Sequence, residues 1–200
     1  IGATSTTAIL NLGGLGNLSC YSKKYGLIAL DTGPANAPIN DWIKSFKIGQ
    51  MDIGGEIAAR GQVDESKLIE ILKDPYFEVS FPKSLDRFDF SYKIAKGMSL
   101  EDGAATLTEF TAEIISKNIL NKNIYVCGGG RKNKFLIKRI EEKIRNKINM
   151  IEDLNLNGDF IESQAFAYLA IRSILSLPIS FPETTGCSIP TIGGVIVKNF

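Results

Sequence analysis

Two hundred residues are enough for one large domain or two small ones, and a chain of this length can bury a hydrophobic core without disulfides or metals. Lys and Arg number 23 and Asp and Glu 22, and the resulting net charge of +1 argues against nucleic acid or an anionic membrane as the main partner. Histidine is absent, which excludes a Ser-His-Asp triad, a Cys-His pair and any His-ligated metal within these residues.

The first predicted elements are three short strands joined by turns that contain glycine. Apolar and alternating runs predict strands over residues 8–13, 17–21 and 27–31. Since the turns are short, the three strands are expected to form an antiparallel meander. A stretch with two prolines follows, and then a predicted helix over residues 40–46.

The middle of the chain is predicted to hold one helix between two irregular segments. Residues 49–61 are typical of a loop, and residues 63–73 of a helix with Asp64 as its N-cap. Residues 74–84, "DPYFEVSFPKS", form a connection interrupted by prolines.

After Ser99 the pattern alternates between helix and strand. Apolar residues at helical spacing predict a helix that contains Leu107 and Phe110, followed by a buried strand "IYVC" that ends in glycines. An amphipathic helix is predicted over residues 133–144 and a short strand over residues 149–154.

The last elements are a helix and a strand. Residues 162–175 are apolar on nearly every face, so this helix is expected to be deeply buried. "TIGGVIV", residues 191–197, predicts a closing strand. The whole order predicts an α/β architecture with one mixed sheet, an N-terminal antiparallel meander and flanking helices.

Ligands of such sheets bind beyond the carboxyl ends of strands, and the first cluster at such an end is Gly13-Gly14. Glycines lack a Cβ and allow positive φ, so successive N–H groups can point into one concavity and hold an oxyanion. Asn11 and Asn17 flank the turn and can donate amide hydrogens as well. A plain hairpin turn, which needs the same residue types, is the structural alternative.

The second cluster, Asp31-Thr32-Gly33, follows the third strand. An acidic residue at this point can hold Mg²⁺ through water or accept a hydrogen bond from a substrate hydroxyl. The alternative is an Asx or Ser/Thr turn that ends at Pro34.

The third cluster, Gly128-Gly129-Gly130, lies between a buried strand and an amphipathic helix. This arrangement lets a phosphate or a flat ring approach the backbone near a helix N-terminus. The spacing from Gly128 to Asn133 is close to the dinucleotide fingerprint, but Asn133 stands where that fingerprint has its third glycine. An NAD site is therefore the weaker interpretation.

Charged residues supply two further hypotheses. Asp159 and Glu162 have the spacing of a capping box, and the alternative is that the Glu162 carboxylate faces the hydroxyls of a ligand. The basic stretch over residues 131–145 also contains two glutamates, which is typical of the solvated face of a helix.

Three cysteines, Cys20, Cys127 and Cys187, are widely spaced and form no CxxC motif. Neither a disulfide framework nor a zinc site is indicated, and each is expected to be a small buried hydrophobe in a reducing cytosol. No signal peptide or membrane-spanning run is found. Because the first residue is Ile, we expect a processed chain or a fragment of a longer one.

Taken together, two glycine clusters and an Asp-Thr-Gly turn in this order suit the second lobe of an actin-like sugar kinase or ATPase. The sequence also resembles the bacterial anhydro-N-acetylmuramic acid kinases from about residue 9 to its end. The resemblance is carried by "NLGGLGNLS", "LDTGPANAPIND", "DPYFEVSFPKSLDRFDF", "AATLTEFTAEII", "YVCGGGRKN", "DFIESQAFAYLAIRSILSLP" and "FPETTG".

The resemblance implies an actin-like, ribonuclease H-like lobe and a role for each candidate residue. It implies that phosphates are bound by Asn11, Gly13, Gly14, Asn17, Asp31, Thr32 and Gly33. It implies that adenosine is bound by Gly128, Gly129, Gly130 and Asn133. Glu162 would lie in the sugar site, and Asp31 would reach the metal through its outer shell.

The implied reaction is ATP-dependent phosphorylation of 1,6-anhydro-N-acetylmuramic acid, with water opening the anhydro ring to give the 6-phosphate. The implied cofactors are ATP and Mg²⁺, and the implied setting is the recycling of cell-wall sugars in the cytoplasm. The partner is then a small amino sugar rather than nucleic acid or membrane, and a homodimer stays an open alternative.

The sequence differs from the family pattern mainly at its start. Residues 1–200 correspond to the second, C-terminal lobe, and the first lobe, with a Gly-Thr-Ser-x-Asp-Gly loop and an expected catalytic base, is absent from this chain. No catalytic residue is therefore expected here, and the chain alone is expected to be inactive. Ala35 replaces a glycine of the family's "DTGPGN". A truncated or degenerate nucleotide-binding module is the alternative, besides a purely structural domain.

Overall fold

A five-stranded mixed sheet forms the centre of the computed structural model, which describes residues 7–23, 26–78, 84–86, 88–119 and 123–197. The strands are β1 (Thr7–Leu12), β2 (Leu15–Ser22), β3 (Gly26–Pro34), β4 (Asn123–Cys127) and β5 (Ile148–Met150). Their order across the sheet is β3-β2-β1-β4-β5. Residues 79–83, in the connection predicted over residues 74–84, lie outside the described residues.

The predicted meander is confirmed. β1 pairs antiparallel with β2, and β2 pairs antiparallel with β3. On its other side β1 pairs parallel with β4, which pairs parallel with β5. The carboxyl ends of β1, β3, β4 and β5 therefore meet at one edge of the sheet, where ligands of α/β sheets bind.

The helices are α1 (Asn36–Ser45), α2 (Glu65–Ile71), α3 (Leu100–Asn118), α4 (Lys134–Ile144), α5 (Ile161–Ile174) and α6 (Pro182–Thr185). α3 leads to β4, and α4 connects β4 to β5. Since both crossovers run in the same direction along the sheet, the right-handed rule puts the two helices on one face, where they pack against each other.

The main core lies between this face of the sheet and α3 and α4. Ala8, Leu10 and Leu12 alternate along β1 and are at most 1% exposed, as expected for one face of a strand. They belong to the same buried cluster as Phe110 of α3 and Leu136 of α4. A second cluster surrounds Trp42, whose indole Nε1 donates to the Leu100 carbonyl at 2.9 Å.

Helix starts follow the capping residues that the sequence provides. The Asp64 carboxylate accepts from the Lys67 N–H at 2.9 Å, and the Asn133 side chain accepts from the Leu136 N–H at 3.0 Å. The predicted cap at Asp64 is confirmed, whereas Asn133, which was predicted as the first residue of its helix, is the N-cap. α1 begins four residues earlier than predicted because Pro38 lies in its first turn, where proline has no helical hydrogen bond to lose.

The C-terminal predictions are wrong in three respects. No residue of α5 is buried, and Phe166, Tyr168 and Ile174 are each more than half exposed. Residues 191–197 form no strand, and only an isolated bridge joins Ser180 to Thr191. The predicted strand over residues 149–154 ends at Met150, because a 3₁₀ turn (Ile151–Leu154) follows directly.

The cysteine prediction is confirmed for Cys20 and Cys127, which are buried, and is wrong for Cys187, which is partly exposed. No helix within the described residues combines the length and the apolar character needed to cross a membrane.

Candidate functional site

Two glycine bends lie side by side at the carboxyl edge of the sheet. The first bend, residues 13–14, follows β1, and the second bend, residues 128–130, follows β4. The two strands are neighbours, with Asn11 opposite Cys127. The two glycine clusters are therefore close together in the fold.

Asn36, the first residue of α1, is bonded to the first bend and lies against the second. Its side-chain Nδ2 donates to the Leu12 carbonyl at 3.2 Å and to the Gly13 carbonyl at 3.0 Å. A Cβ on Gly130 would collide with this same Nδ2 and with Leu12. Glycine is therefore needed at position 130 for the second bend to approach the first.

The three glycines of the second bend have different roles. Gly128 has a φ of +79°, and a Cβ there would collide with the Asn11 side chain. Gly129 is open, because an added Cβ would meet no atom within 4 Å. Gly128 and Gly130 are thus required by the fold, whereas Gly129 presents bare backbone to the cleft.

Hydrogen bonds to the carbonyls fix the direction of the neighbouring N–H groups. The Gly13 carbonyl accepts from the Asn36 backbone N–H at 3.1 Å, and the Gly14 carbonyl accepts from the Ala35 N–H at 2.9 Å. Because N–H and C=O point in opposite directions in a trans peptide, the N–H groups of Gly14 and Leu15 turn away from α1. The N–H of Gly13 itself is engaged, since it donates to the Leu15 carbonyl at 3.1 Å.

A large cavity of about 740 Å³ opens on one side of the two bends. Asn11 and Asn17 lie directly opposite each other on β1 and β2 and line its floor, and Glu162 in the first turn of α5 lines its wall. The complete lining is Ile9, Asn11, Gly13, Gly14, Leu15, Asn17, Ser19, Cys127, Gly128, Gly129, Gly158, Asp159, Ile161, Glu162 and Ala165.

A small cavity of about 280 Å³ opens on the other side of the bends. Gly13, Gly14 and Gly129 line both cavities, so the bends form the ridge between them. Asn133 lines only the small cavity. The remaining lining residues are Leu12, Asn36, Asn40, Met51, Asp52, Ile53, Gly54 and Lys132.

The Asp31-Thr32-Gly33 segment lies behind the first bend and lines neither cavity. The Thr32 hydroxyl is buried and donates to the Gly16 carbonyl at 3.1 Å. Gly33 has a φ of +149°, and a Cβ there would collide with Ile114 of α3. The predicted phosphate contacts of these two residues stay predictions. In the structure, Thr32 is bonded to β2 and Gly33 packs against α3.

The Asp31 carboxylate connects β3 to two other segments. Oδ1 accepts from Asn17 Nδ2 and Oδ2 accepts from the Leu85 N–H, each at 2.9 Å. The Tyr76 hydroxyl donates to the Asp31 carbonyl at 2.8 Å, and burial followed by the Asp31 and Asp89 charges raises the pKa of Tyr76 to about 12.

Each oxygen of the Asp31 carboxylate accepts one hydrogen bond and keeps a lone pair for a further partner. The predicted outer-shell contact from Asp31 to Mg²⁺ stays a prediction. No group of three or more metal-ligating side chains occurs among the described residues.

Sequence analysis did not find Arg131 as a site residue. The basic stretch was predicted to be solvated, but Arg131 is only 7% exposed and pairs with Glu152 and Asp159. The predicted capping box is also wrong, because the N-cap of α5 is Phe160 and makes no side-chain bond. Hydrogen bonds from Arg131 and then Lys132 lower the pKa of Asp159 to about 2.

Lys132, Asn36 and Asn40 were missed as well, although all three line the small cavity. The only sequence signal for Asn36 is its place in "DTGPAN", directly after the cluster at the end of β3.

The strand order and the paired glycine bends define a ribonuclease H-like lobe of the kind found in actin-like ATPases and sugar kinases, as predicted. A family model described as anhydro-N-acetylmuramic acid kinase matches residues 2–199. The chain belongs to this family.

Curated relatives with the same description support the assignment. A Brucella anthropi protein is 48% identical, with 98% of this chain and 54% of the relative covered. A Rhizobium rhizogenes protein is 44% identical, with 98% and 54% covered, and a Mesorhizobium japonicum protein is 43% identical, with 96% and 53% covered. The chain thus spans about half the length of the curated relatives that it matches.

Two solved structures are more distantly similar. One is the activator of the 2-hydroxyisocaproyl-CoA dehydratase from Clostridium difficile with bound ADPNP, which is 13% identical with a TM-score of 0.45. The match covers 72% of this chain and 53% of the activator chain. The other is the ethanolamine utilization protein EutJ from Carboxydothermus hydrogenoformans, which is 14% identical with a TM-score of 0.38 and covers 74% and 44%.

Proposed function

We propose that this chain is the second, C-terminal lobe of a two-lobed kinase that phosphorylates 1,6-anhydro-N-acetylmuramic acid with ATP and opens the anhydro ring with water. The product is N-acetylmuramic acid 6-phosphate, formed in the cytoplasm during recycling of cell-wall sugars. The observation that carries the proposal is the ridge of two glycine bends, residues 13–14 and 128–130, between two cavities.

The ridge suits a triphosphate. The N–H groups of Gly14 and Leu15 turn away from α1, and the Gly128 carbonyl is held by Arg131, so the N–H of Gly129 turns away from Arg131. Backbone N–H groups that converge in this way hold phosphate oxygens without a charged side chain. We assign the phosphates to this ridge.

The two cavities suit the two remaining parts of the reactants. Of the four residues expected at the adenosine, Asn133 lines only the small cavity, Gly129 lines both cavities and Gly128 lines only the large one. We assign the nucleoside to the small cavity, beside Asn133 and Lys132. Glu162 lines only the large cavity together with Asn11 and Asn17. A carboxylate and two amides can accept from and donate to sugar hydroxyls, so we assign the amino sugar to the large cavity.

Phosphoryl transfer asks mainly for positioning and charge stabilisation. Asn36 would fix the carbonyls of the first bend, and Asp31 would orient the Asn17 amide at the floor of the large cavity. Mg²⁺, when bound, would neutralise charge on the phosphates, with Asp31 contributing through water. The missing lobe would close over the ridge and exclude other water.

The C-terminal surface supports a second lobe. Large apolar side chains of α5 and of residues 175–197 are exposed, and extended apolar exposure is typical of a surface that contacts a partner. Relatives of about twice this length supply enough chain for a lobe that covers it. We therefore assign the exposed face of α5 to the contact between the lobes.

The test is an assay of the complete gene product with ATP, Mg²⁺ and the anhydro-sugar, followed by mass spectrometry of the sugar. The proposal expects a sugar 6-phosphate that carries one oxygen from ¹⁸O-labelled water. ATP binding without any phosphorylated sugar would instead support a nucleotide-binding module, and preferential binding of NADH would contradict the ATP site.

A further inference from the structure

Arg131 is a buried cation that bonds to three separate segments. Its Nη1 donates to the Gly128 carbonyl at 3.1 Å and to Asp159 Oδ1 at 2.9 Å, and its Nε donates to Glu152 Oε1 at 3.0 Å. These partners belong to the second glycine bend, to the turn after β5 and to the segment just before α5. The side chain is 5% exposed.

The guanidinium is suited to this position by its shape as well as its charge. A planar group with five donors can bond to two carboxylates and a carbonyl at once, which a lysine ammonium cannot do in the same geometry. The pKa of Arg131 is raised, and the largest cause is its hydrogen bond to Asp159. The guanidinium therefore keeps its charge. Removing one partner of a buried cation is costly, since the remaining charge is left without compensation.

The start of α5 has few other restraints. No side chain caps the helix, and none of its residues is buried. Asp159 precedes the helix by two residues, and Glu162 follows Asp159 by three. The bond from Arg131 to Asp159 is therefore the polar link between the second glycine bend and the carboxylate on the wall of the large cavity.

We infer that Arg131 is a positioning residue which, through Asp159, fixes the start of α5 and the Glu162 carboxylate relative to the second glycine bend. The consequence for catalysis rests on the proposed function, because it takes the sugar as the ligand of the large cavity. Lys132 also binds Asp159, at 2.9 Å, and lines the small cavity. The same aspartate thus links the walls of both cavities.

The first test needs no ligand. Amide hydrogen exchange is measured at residues 164–166 in the wild type and in Asp159→Asn, Arg131→Lys and Asp159→Glu. The Gln164 N–H is the first in α5 with a helical partner, since it donates to the Phe160 carbonyl at 2.9 Å. Asp159 is half exposed, so its variants are expected to fold. We expect exchange faster by about tenfold or more in Asp159→Asn and Arg131→Lys, the factor that loss of a hydrogen bond between charged groups gives. Asp159→Glu keeps the charge and should restore slow exchange.

The second test uses the complete kinase and separates the two substrates. Asp159→Asn should raise the KM for the sugar several-fold and by more than the KM for ATP, because the bond from Arg131 to Gly128 remains. Arg131→Lys should raise both. Lys138→Gln, which removes an exposed cation of α4, is the matched control and should change neither.

The outcomes separate the inference from the proposed function. Unchanged exchange at residues 164–166 in both variants overturns the inference, whatever the activity. Faster exchange with an unchanged KM for the sugar overturns the link to Glu162. A wild-type enzyme that does not turn over the sugar overturns the proposed function, and the exchange data still decide whether Arg131 fixes the start of α5.

Discussion

Asn17 on β2 and Asp31 on β3 lie opposite each other across the sheet, and Asn17 Nδ2 donates to Asp31 Oδ1 at 2.9 Å. The carboxylate also accepts a hydrogen bond from the Leu85 N–H. It therefore binds both the Asn17 side chain, which lines the large cavity, and the segment that contains Leu85. An aspartate that lines neither cavity is in this way linked to the floor of the large cavity.

Replacing this carboxylate should affect turnover more than folding. In Asp31→Asn one of the two carboxylate oxygens becomes an NH₂ group, which cannot accept a hydrogen bond from Asn17 or Leu85. The Asn17 side chain is then expected to lose its fixed orientation. We expect kcat of the complete kinase to fall by about tenfold or more, since bonds to charged groups contribute about 1.5–3 kcal/mol. Steady-state kinetics and thermal unfolding measure the two effects. Unchanged kcat, equal to that of the control Glu183→Gln on α6, would remove Asp31 from the site.

The glycines of the second bend give a pair of contrasting substitutions. In Gly129→Val the side chain would project from an open position into the cleft, so ATP binding should be lost while the melting temperature stays near that of the wild type. In Gly128→Val the side chain would collide with Asn11 and Leu12 at a φ of +79°, so the fold itself should be destabilised. Calorimetric titration and thermal unfolding compare the two. Wild-type affinity in Gly129→Val would refute the assignment of the ridge to nucleotide.

The Arg131 network predicts sensitivity to acid. Hydrogen bonds from Arg131 and then Lys132 lower the pKa of Asp159 from 3.8 to about 2. A group whose pKa is lower in the folded state stabilises the fold above its unfolded pKa, and this contribution is lost as the pH falls through the folded value. The free energy of unfolding should therefore fall between pH 3.8 and about pH 2.

The control for this prediction is Asp159→Asn, which cannot titrate. Denaturant unfolding at steps between neutral pH and pH 2 should show a variant that is less stable at pH 7 and that loses less stability in this window. Identical acid dependence in the two proteins would contradict the assigned network.

The exposed face of α5 predicts that an apolar-to-polar substitution there changes the free energy of unfolding little in the chain alone and much more in a longer protein. Phe166 is 66% exposed, so Phe166→Ser should change the free energy of unfolding of this chain by less than about 0.5 kcal/mol. In a protein that contains both lobes we expect a loss of ~2 kcal/mol, since the ring would be buried. Denaturant unfolding measures both.

The matched control is Ile69→Ser on α2, an apolar residue that is also exposed, at 57%. If Phe166→Ser and Ile69→Ser have equal effects in the longer protein, α5 is not at the contact between the lobes.

Much of the fold could be predicted because its signals are local. Alternation along β1, the cap at Asp64, and glycines at strand ends each act within a few residues and were found from the sequence. Both bends could be chosen as candidate sites because their glycine runs are visible in the sequence, although the contacts that require Gly128 and Gly130 are with distant residues.

The rest depends on contacts between distant residues. Arg131 lies 28 residues from Asp159, and no pattern in the sequence shows that a cation in a basic stretch is buried. The error over α5 has another cause, because an apolar helix predicts burial but not the partner that buries it. Phe166 is an example, because its apolar side chain predicts burial and yet stays exposed in this chain.

The most direct test of the central claim is an amide NMR titration of this chain with ATP and Mg²⁺. If the two bends bind one triphosphate, the amide signals of Gly14, Leu15 and Gly129 should shift together along a single binding curve. Shifts at one bend without the other, or shifts confined to residues away from both cavities, would contradict the claim.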